Sequence, residues 1–180
     1  MSLYKVEYDY SSELLEKIMD SFSVSTDKIN VKRILNVFLD AGLPIKVKHL
    51  FPDTPKAYYR ILCFIKKSAE SVIINTRTDL GKDGVIDGLS IQICIANKKT
   101  FDMLGDFTES IRTQIIGGNE CRYCSAKCEG KRYEFTYAGI QYTKCRYLNS
   151  NFRLTMQNEN DVNNIVDIIK NELALIKTKN

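Results

Sequence analysis

The chain has 180 residues, 44% apolar and 27% charged, with a formal net charge of +4, six cysteines, one histidine and no tryptophan. That length can bury about 70% of the surface an unfolded chain exposes, so a core forms without help from metal or disulfide, and the composition excludes a disordered chain. No apolar run reaches the roughly 20 residues of a membrane span, and the opening MSLYKVEYDY is too acidic and too poor in apolar residues for a signal peptide, so a cytoplasmic protein is expected.

From Tyr4 onward, Tyr4, Val6, Tyr8 and Tyr10 alternate with Lys5, Glu7 and Asp9, the period of a half-buried strand. Ser11 or Ser12 then caps a short helix whose Leu14, Leu15, Ile18, Met19 and Phe22 share one face. A second helix takes Ser25 or Thr26 as its cap, carries Val31, Ile34, Leu35 and Phe38 at helical spacing, and stops at Gly42 and Pro44. Two helices this close suggest a helix-turn-helix or a helical hairpin lying on a sheet. The second helix lacks an exposed polar reading face, which favours the hairpin.

Between Ala57 and Lys99 the texture becomes sheet-like. YYRILCFI, SVIINTRT and LSIQICIA are rich in β-branched and aromatic residues, with KKSAE and DLGKDGVIDG as turns, the pattern of an antiparallel meander. Cys63 and Cys94 lie in the first and third of these strands among apolar neighbours, where a single cysteine behaves as a small hydrophobe. Thr100 is expected to cap one helix running through Phe101, Leu104, Phe107, Ile111 and Ile115 to Gly117 and Gly118. The closing helix, capped by Asn158, sets Val162, Ile165, Val166, Ile169, Leu173 and Ile176 on one side to pack across the sheet. The expectation is an α+β fold: an antiparallel sheet meander with flanking helices and a metal-clasped β-hairpin. It forms a single domain over 1–180, with a cysteine-rich hairpin subregion at about 119–150.

That subregion holds Cys121, Cys124, Cys128 and Cys145, spaced C-x2-C-x3-C with the fourth after sixteen intervening residues. In a reducing compartment clustered thiols point to metal or redox chemistry before structural disulfides. A CxxC pair in a tight turn sets two sulfurs about 2.3 Å from one ion, and Cys128 is near enough to give a third. KRYEFTY and IQYTKCRY read as two strands about an Ala138-Gly139 turn. If Tyr137 pairs with Ile140, Arg132 pairs with Cys145, and the fourth thiol returns to the hairpin base, four residues from Cys128. Four thiolates with no open position suit structural zinc, since catalytic zinc keeps a place for water. An iron-sulfur cluster also takes four cysteines, but the closing Cys-Pro of ferredoxin runs is absent. A thiol-disulfide switch remains open because CxxC is its usual core.

Other signals are weaker. His49 has no nucleophile beside it and reads as a surface or partly buried residue at a strand end. Asp79, Asp83 and Asp87 do not follow calcium-loop spacing, and GKDG lacks the flanking residues of a phosphate loop. Between Cys121 and Arg153 there are seven basic residues (Arg122, Lys127, Lys131, Arg132, Lys144, Arg146, Arg153) and two acidic ones (Glu129, Glu134), a formal +5 that leaves about −1 for the rest of the chain. Tyr133, Phe135 and Tyr137 share one strand face, with Tyr142 and Lys144 opposite. On a basic surface such rings can stack unpaired bases, but packing under the closing helix fits the modest charge better.

In layout the chain resembles small uncharacterised cysteine-rich proteins of Gram-positive anaerobes, in which paired helices and a short meander precede a C-x2-C-x3-C cluster, a hairpin with a last cysteine and a closing helix. The resemblance rests on Cys121, Cys124, Cys128 and Cys145 and implies a zinc-like site with no assigned activity. The expected function is a non-enzymatic module that binds a small ligand or a protein, with no membrane association. A nucleic-acid-binding regulator using the basic aromatic hairpin is the alternative, and a thiol-redox protein the third reading.

Overall fold

The computed structural model describes residues 5–9, 11–20, 25–50, 58–66, 69–75, 89–95, 97–118, 132–145 and 152–177. These form an α+β fold in which one six-stranded sheet has the order β1-β2-β3-β4-β5-β8, with β6 and β7 a separate two-stranded sheet. The chain divides into two compact units, Met1–Ile91 and Gln92–Asn180.

The first unit opens with β1 (Lys5–Asp9) and α1 (Ser12–Met19), whose cap is Ser11: its hydroxyl accepts the Leu14 N–H at 3.1 Å. α2 (Ser25–Asp40) buries Val31, Ile34, Leu35 and Phe38, the four residues its spacing marked. It ends as a Schellman motif. Gly42, at φ 63°, donates to Leu39 O and Leu43 donates to Phe38 O, both at 2.9 Å, a geometry that favours glycine at position 42. β2 (Ile45–Leu50), β3 (Tyr58–Lys66) and β4 (Ala69–Asn75) follow, and each pairs antiparallel with its predecessor, β2 with β1. Val47, Ile61 and Ile74 face one another across the β2–β3 and β3–β4 ladders and are buried, and α2 packs on β3. α2 thus lies on the sheet, and Lys32 of α2 reaches Glu16 of α1 at 2.8 Å. Two details differ from expectation. β2 was hidden behind Pro44 in the sequence, and Tyr8 is exposed because β1 is the end strand.

β5 (Leu89–Ile93) spans the boundary between the units and ends one residue before Cys94, so that cysteine is not inside the strand as expected. The single helix expected from Thr100 is also broken. It divides into α3 (Lys98–Asp102), a 3-10 turn over Leu104–Asp106, and α4 (Glu109–Gly117). The break lies at Thr108. Its N–H donates to Asn164 Oδ1 at 2.7 Å and its hydroxyl to Asp161 Oδ1 at 2.6 Å, while the same hydroxyl caps α4 at the Ile111 N–H. A residue committed to these partners cannot continue a helix through itself. Asp161 and Asn164 belong to α5 (Glu159–Lys177), capped as expected by Asn158, which accepts the Asp161 N–H at 3.0 Å. α5 packs on α3, α4 and β8 (Phe152–Met156). β8 was not foreseen. It is the end strand, and Gln114 of α4 grips its backbone, accepting the Thr155 N–H at 2.6 Å and donating to Thr155 O at 3.0 Å. That amide stands where a further strand would pair. Among the described residues no helix is long and apolar enough to cross a membrane.

Candidate metal centre

The hairpin of the second unit is built as its sequence implies. β6 (Arg132–Tyr137) and β7 (Ile140–Cys145) pair antiparallel from Tyr137 opposite Ile140 to Arg132 opposite Cys145, without a bulge. Ala138 and Gly139 both have positive φ, 50° and 78°, the signature of the two-residue type I′ turn whose twist matches that of the strands. Because the turn has two residues, the ladder positions are fixed, and Cys145 occupies the last rung at the base. Cys121, Cys124 and Cys128 lie outside the described residues, and of Cys145 only its backbone place in β7 is described. Among the described residues no group of three or more His, Cys, Asp or Glu is arranged to hold a metal, a set that excludes those three cysteines.

One face of the hairpin is aromatic and one polar. Phe135 is 4% exposed, stacked on Phe101 of α3 with centroids 4.5 Å apart and on Tyr142 across the ladder at 5.4 Å. Tyr137 lies beneath the Arg112 guanidinium at 5.6 Å, and Arg112 also donates to Phe107 O at 3.3 Å. On the other face Glu134, Thr136, Gln141 and Thr143 are exposed. The rings therefore pack, as expected for Phe135. The seat of Phe135, however, is α3, where the closing helix had been expected. Phe101 and Arg112 are the residues that sequence reasoning missed; both read only as parts of one long helix.

Phe101 is held in place. Asn97 caps α3 by accepting the Lys99 N–H at 3.0 Å, and its own side-chain amide donates to Asn171 O at 2.7 Å. The Asn97 N–H donates to Glu172 Oε1 at 2.9 Å, which also accepts from the Thr100 hydroxyl at 3.4 Å. Glu172 is buried, and the bonds from the Asn97 N–H and the Thr100 hydroxyl offset the cost of burying its polar group.

The two other cysteines differ in kind. Cys63 is fully buried between Ile45 and Val72, and burial pushes its thiol far above the usual range, which suits neither nucleophile nor ligand. Cys94 is half-buried just beyond β5. His49 is half-buried in β2 and stacks on Tyr59 at 4.4 Å and 14°, a packing role in the interior of the sheet. Asp79, Asp83 and Asp87 lie outside the described residues.

No protein-family model matches this chain, and no curated protein and no solved structure matches it.

Proposed function

We propose that Cys121, Cys124, Cys128 and Cys145 hold a structural zinc ion that closes the base of the β6–β7 hairpin, in a cytoplasmic, non-enzymatic module that binds a small ligand or a protein. The observation that carries this reading is the ladder itself, which returns Cys145 opposite Arg132, four residues from Cys128. Cys121 is three positions beyond Gly118 and Cys128 four before Arg132, so the chain can span at most about 11 Å and about 14 Å over these stretches. Four thiolates and no further donor type make a closed set suited to zinc. The basic neighbours Arg122, Lys127 and Lys144 favour the ionised thiols that zinc requires.

A base-stacking role for this hairpin is disfavoured by the burial of Phe135, since a ring stacked on Phe101 has no face left for a base. The zinc reading is tested by elemental analysis of protein purified under reducing conditions. About one zinc per chain is expected. Iron with labile sulfide, or a fully reduced chain carrying no metal, contradicts it.

A further inference from the structure

A strand at the edge of a sheet leaves one row of N–H and C=O groups without a ladder partner, and proteins guard such rows. Two of the edges here are guarded. At β8, Gln114 of α4 takes the place of a further strand, accepting the Thr155 N–H at 2.6 Å and donating to Thr155 O at 3.0 Å. β1, at the other end of the six-stranded sheet, has five residues, three of them charged. β7 is different. Its outer edge pairs with no strand among the described residues, its ladder with β6 has no bulge, and α3 packs on β6. From Ile140 to Lys144 the only charge is Lys144 itself. The two-residue turn decides which backbone groups line this edge. Tyr137 and Ile140 flank the turn and exchange both ladder bonds, and an antiparallel ladder then alternates. Tyr142 and Lys144 therefore also bond inward to β6, while Gln141 and Thr143 turn their N–H and C=O outward. The side chains of Gln141 and Thr143 are exposed as well, and so is Ile140, 56% open to solvent on the face that carries Tyr142.

We propose that β7 is a self-pairing edge: the β7 strands of two copies of this chain join antiparallel about a two-fold axis at Tyr142, and two hairpins become one four-stranded sheet. In this register Gln141 of each copy stands opposite Thr143 of the other, and each such pair exchanges two backbone hydrogen bonds. Tyr142 meets its own counterpart at a non-hydrogen-bonded rung, where side chains approach most closely. The stem of Lys144 covers the exposed Ile140 of the other copy. A second copy suits this edge because the strand complements itself: amide meets hydroxyl on the outer face, ring meets ring and lysine stem meets isoleucine on the inner one, and no like charges stand opposite each other. Two strands alone are marginal in water, and pairing gives each hairpin a wider sheet. A junction this short buries little area, so it forms in proportion to concentration. The proposal goes beyond the zinc reading and does not depend on it.

The test is the mass of the full, reduced chain in solution, measured by sedimentation equilibrium over a concentration series. The wild-type mass should rise toward that of two chains. Thr143→Pro removes an N–H that faces outward, so the β6–β7 ladder keeps its bonds while the junction loses one from each copy. This variant should stay at the mass of one chain. Two double variants then fix the register through exposed side chains. Gln141→Lys with Thr143→Lys sets like charges opposite each other at both pairs and should weaken the dimer about two- to thirtyfold. Gln141→Lys with Thr143→Glu sets opposite charges there and should leave the dimer at least as strong as the wild type. A wild-type chain that keeps the mass of one chain overturns the proposal and leaves the edge to an extended segment of another protein. A dimer undiminished in Thr143→Pro, or one weakened equally by both double variants, overturns it too.

Discussion

The β3–β4 and β6–β7 ladders are both antiparallel and both carry a cysteine, yet they are stabilised differently. Cys63 sits within a nine-residue strand, opposite Ile45 on one side and Val72 on the other, sealed from solvent among apolar side chains. Cys145 sits on the last rung of a two-stranded ladder, opposite Arg132 and followed by more basic sequence. In the first setting the thiol is one more apolar group. In the second, the ladder carries it to the base of the hairpin, with three other cysteines close in sequence. The chemistry of a cysteine thus follows from where its ladder ends.

If the second ladder depends on metal and the first on burial, they should separate experimentally. The largest effect is expected from removing the metal with a chelator, or from Cys145→Ser. Hydrogen exchange should show amides of residues 119–150 losing protection first while β3–β4 keeps its own, because zinc-bound segments draw their folding free energy from the metal. Uniform loss across both ladders would erase the contrast. Next in size is Phe38→Ala, which empties a fully buried site in the first unit. A loss of about 3–5 kcal/mol is expected in urea denaturation, with zinc content unchanged; a loss below about 1 kcal/mol would show that this core is not the support described.

The tip of the hairpin gives a smaller effect. Gly139 has φ 78° with open space around its Cβ position, so Gly139→Ala meets no clash and loses only the ease of left-handed backbone, about 1 kcal/mol. Exchange should quicken in residues 132–145 alone, and equal quickening in β3–β4 would count against independent ladders. The smallest effect is electrostatic. Burial raises the Asp27 carboxyl above its ordinary 3.8, so the folded chain holds that proton to higher pH than the unfolded chain. The stability this group contributes is full below 3.8 and is lost as pH rises through the raised folded value. Asp27→Asn should flatten the pH dependence of stability in that window, and a steeper dependence in the variant would contradict it.

Local signals made much of this fold legible. Helical spacing marked Val31, Ile34, Leu35 and Phe38, and the Ala138-Gly139 turn pointed to Arg132 opposite Cys145, the register observed, with a bulge at Gly139 as the alternative that the ladder lacks. What escaped was set at a distance. Phe101, Leu104, Ile111 and Ile115 keep a helical period across the break at Thr108, and the residues that impose the break, Asp161 and Asn164, lie more than 50 positions away. The seat of Phe135 escaped as well, since it depends on Phe101, far away in sequence. β2 and β8 carried a short period-two signal, Ile45 and Val47 in one and Phe152, Leu154 and Met156 in the other, over lengths too brief to stand out from loop. The cysteine spacing of the candidate site was visible from the start, and the ring contact between the hairpin and α3 was not.

X-ray absorption at the zinc edge of the purified, reduced protein tests the four-thiolate clasp most directly. The expected spectrum shows four sulfur neighbours at about 2.3 Å and no nitrogen or oxygen in the first shell, reduced to three sulfurs in Cys145→Ser. Fewer than four sulfurs in the wild-type protein, or a coordination shell unaltered by Cys145→Ser, would contradict the claim that the hairpin returns Cys145 to complete the site.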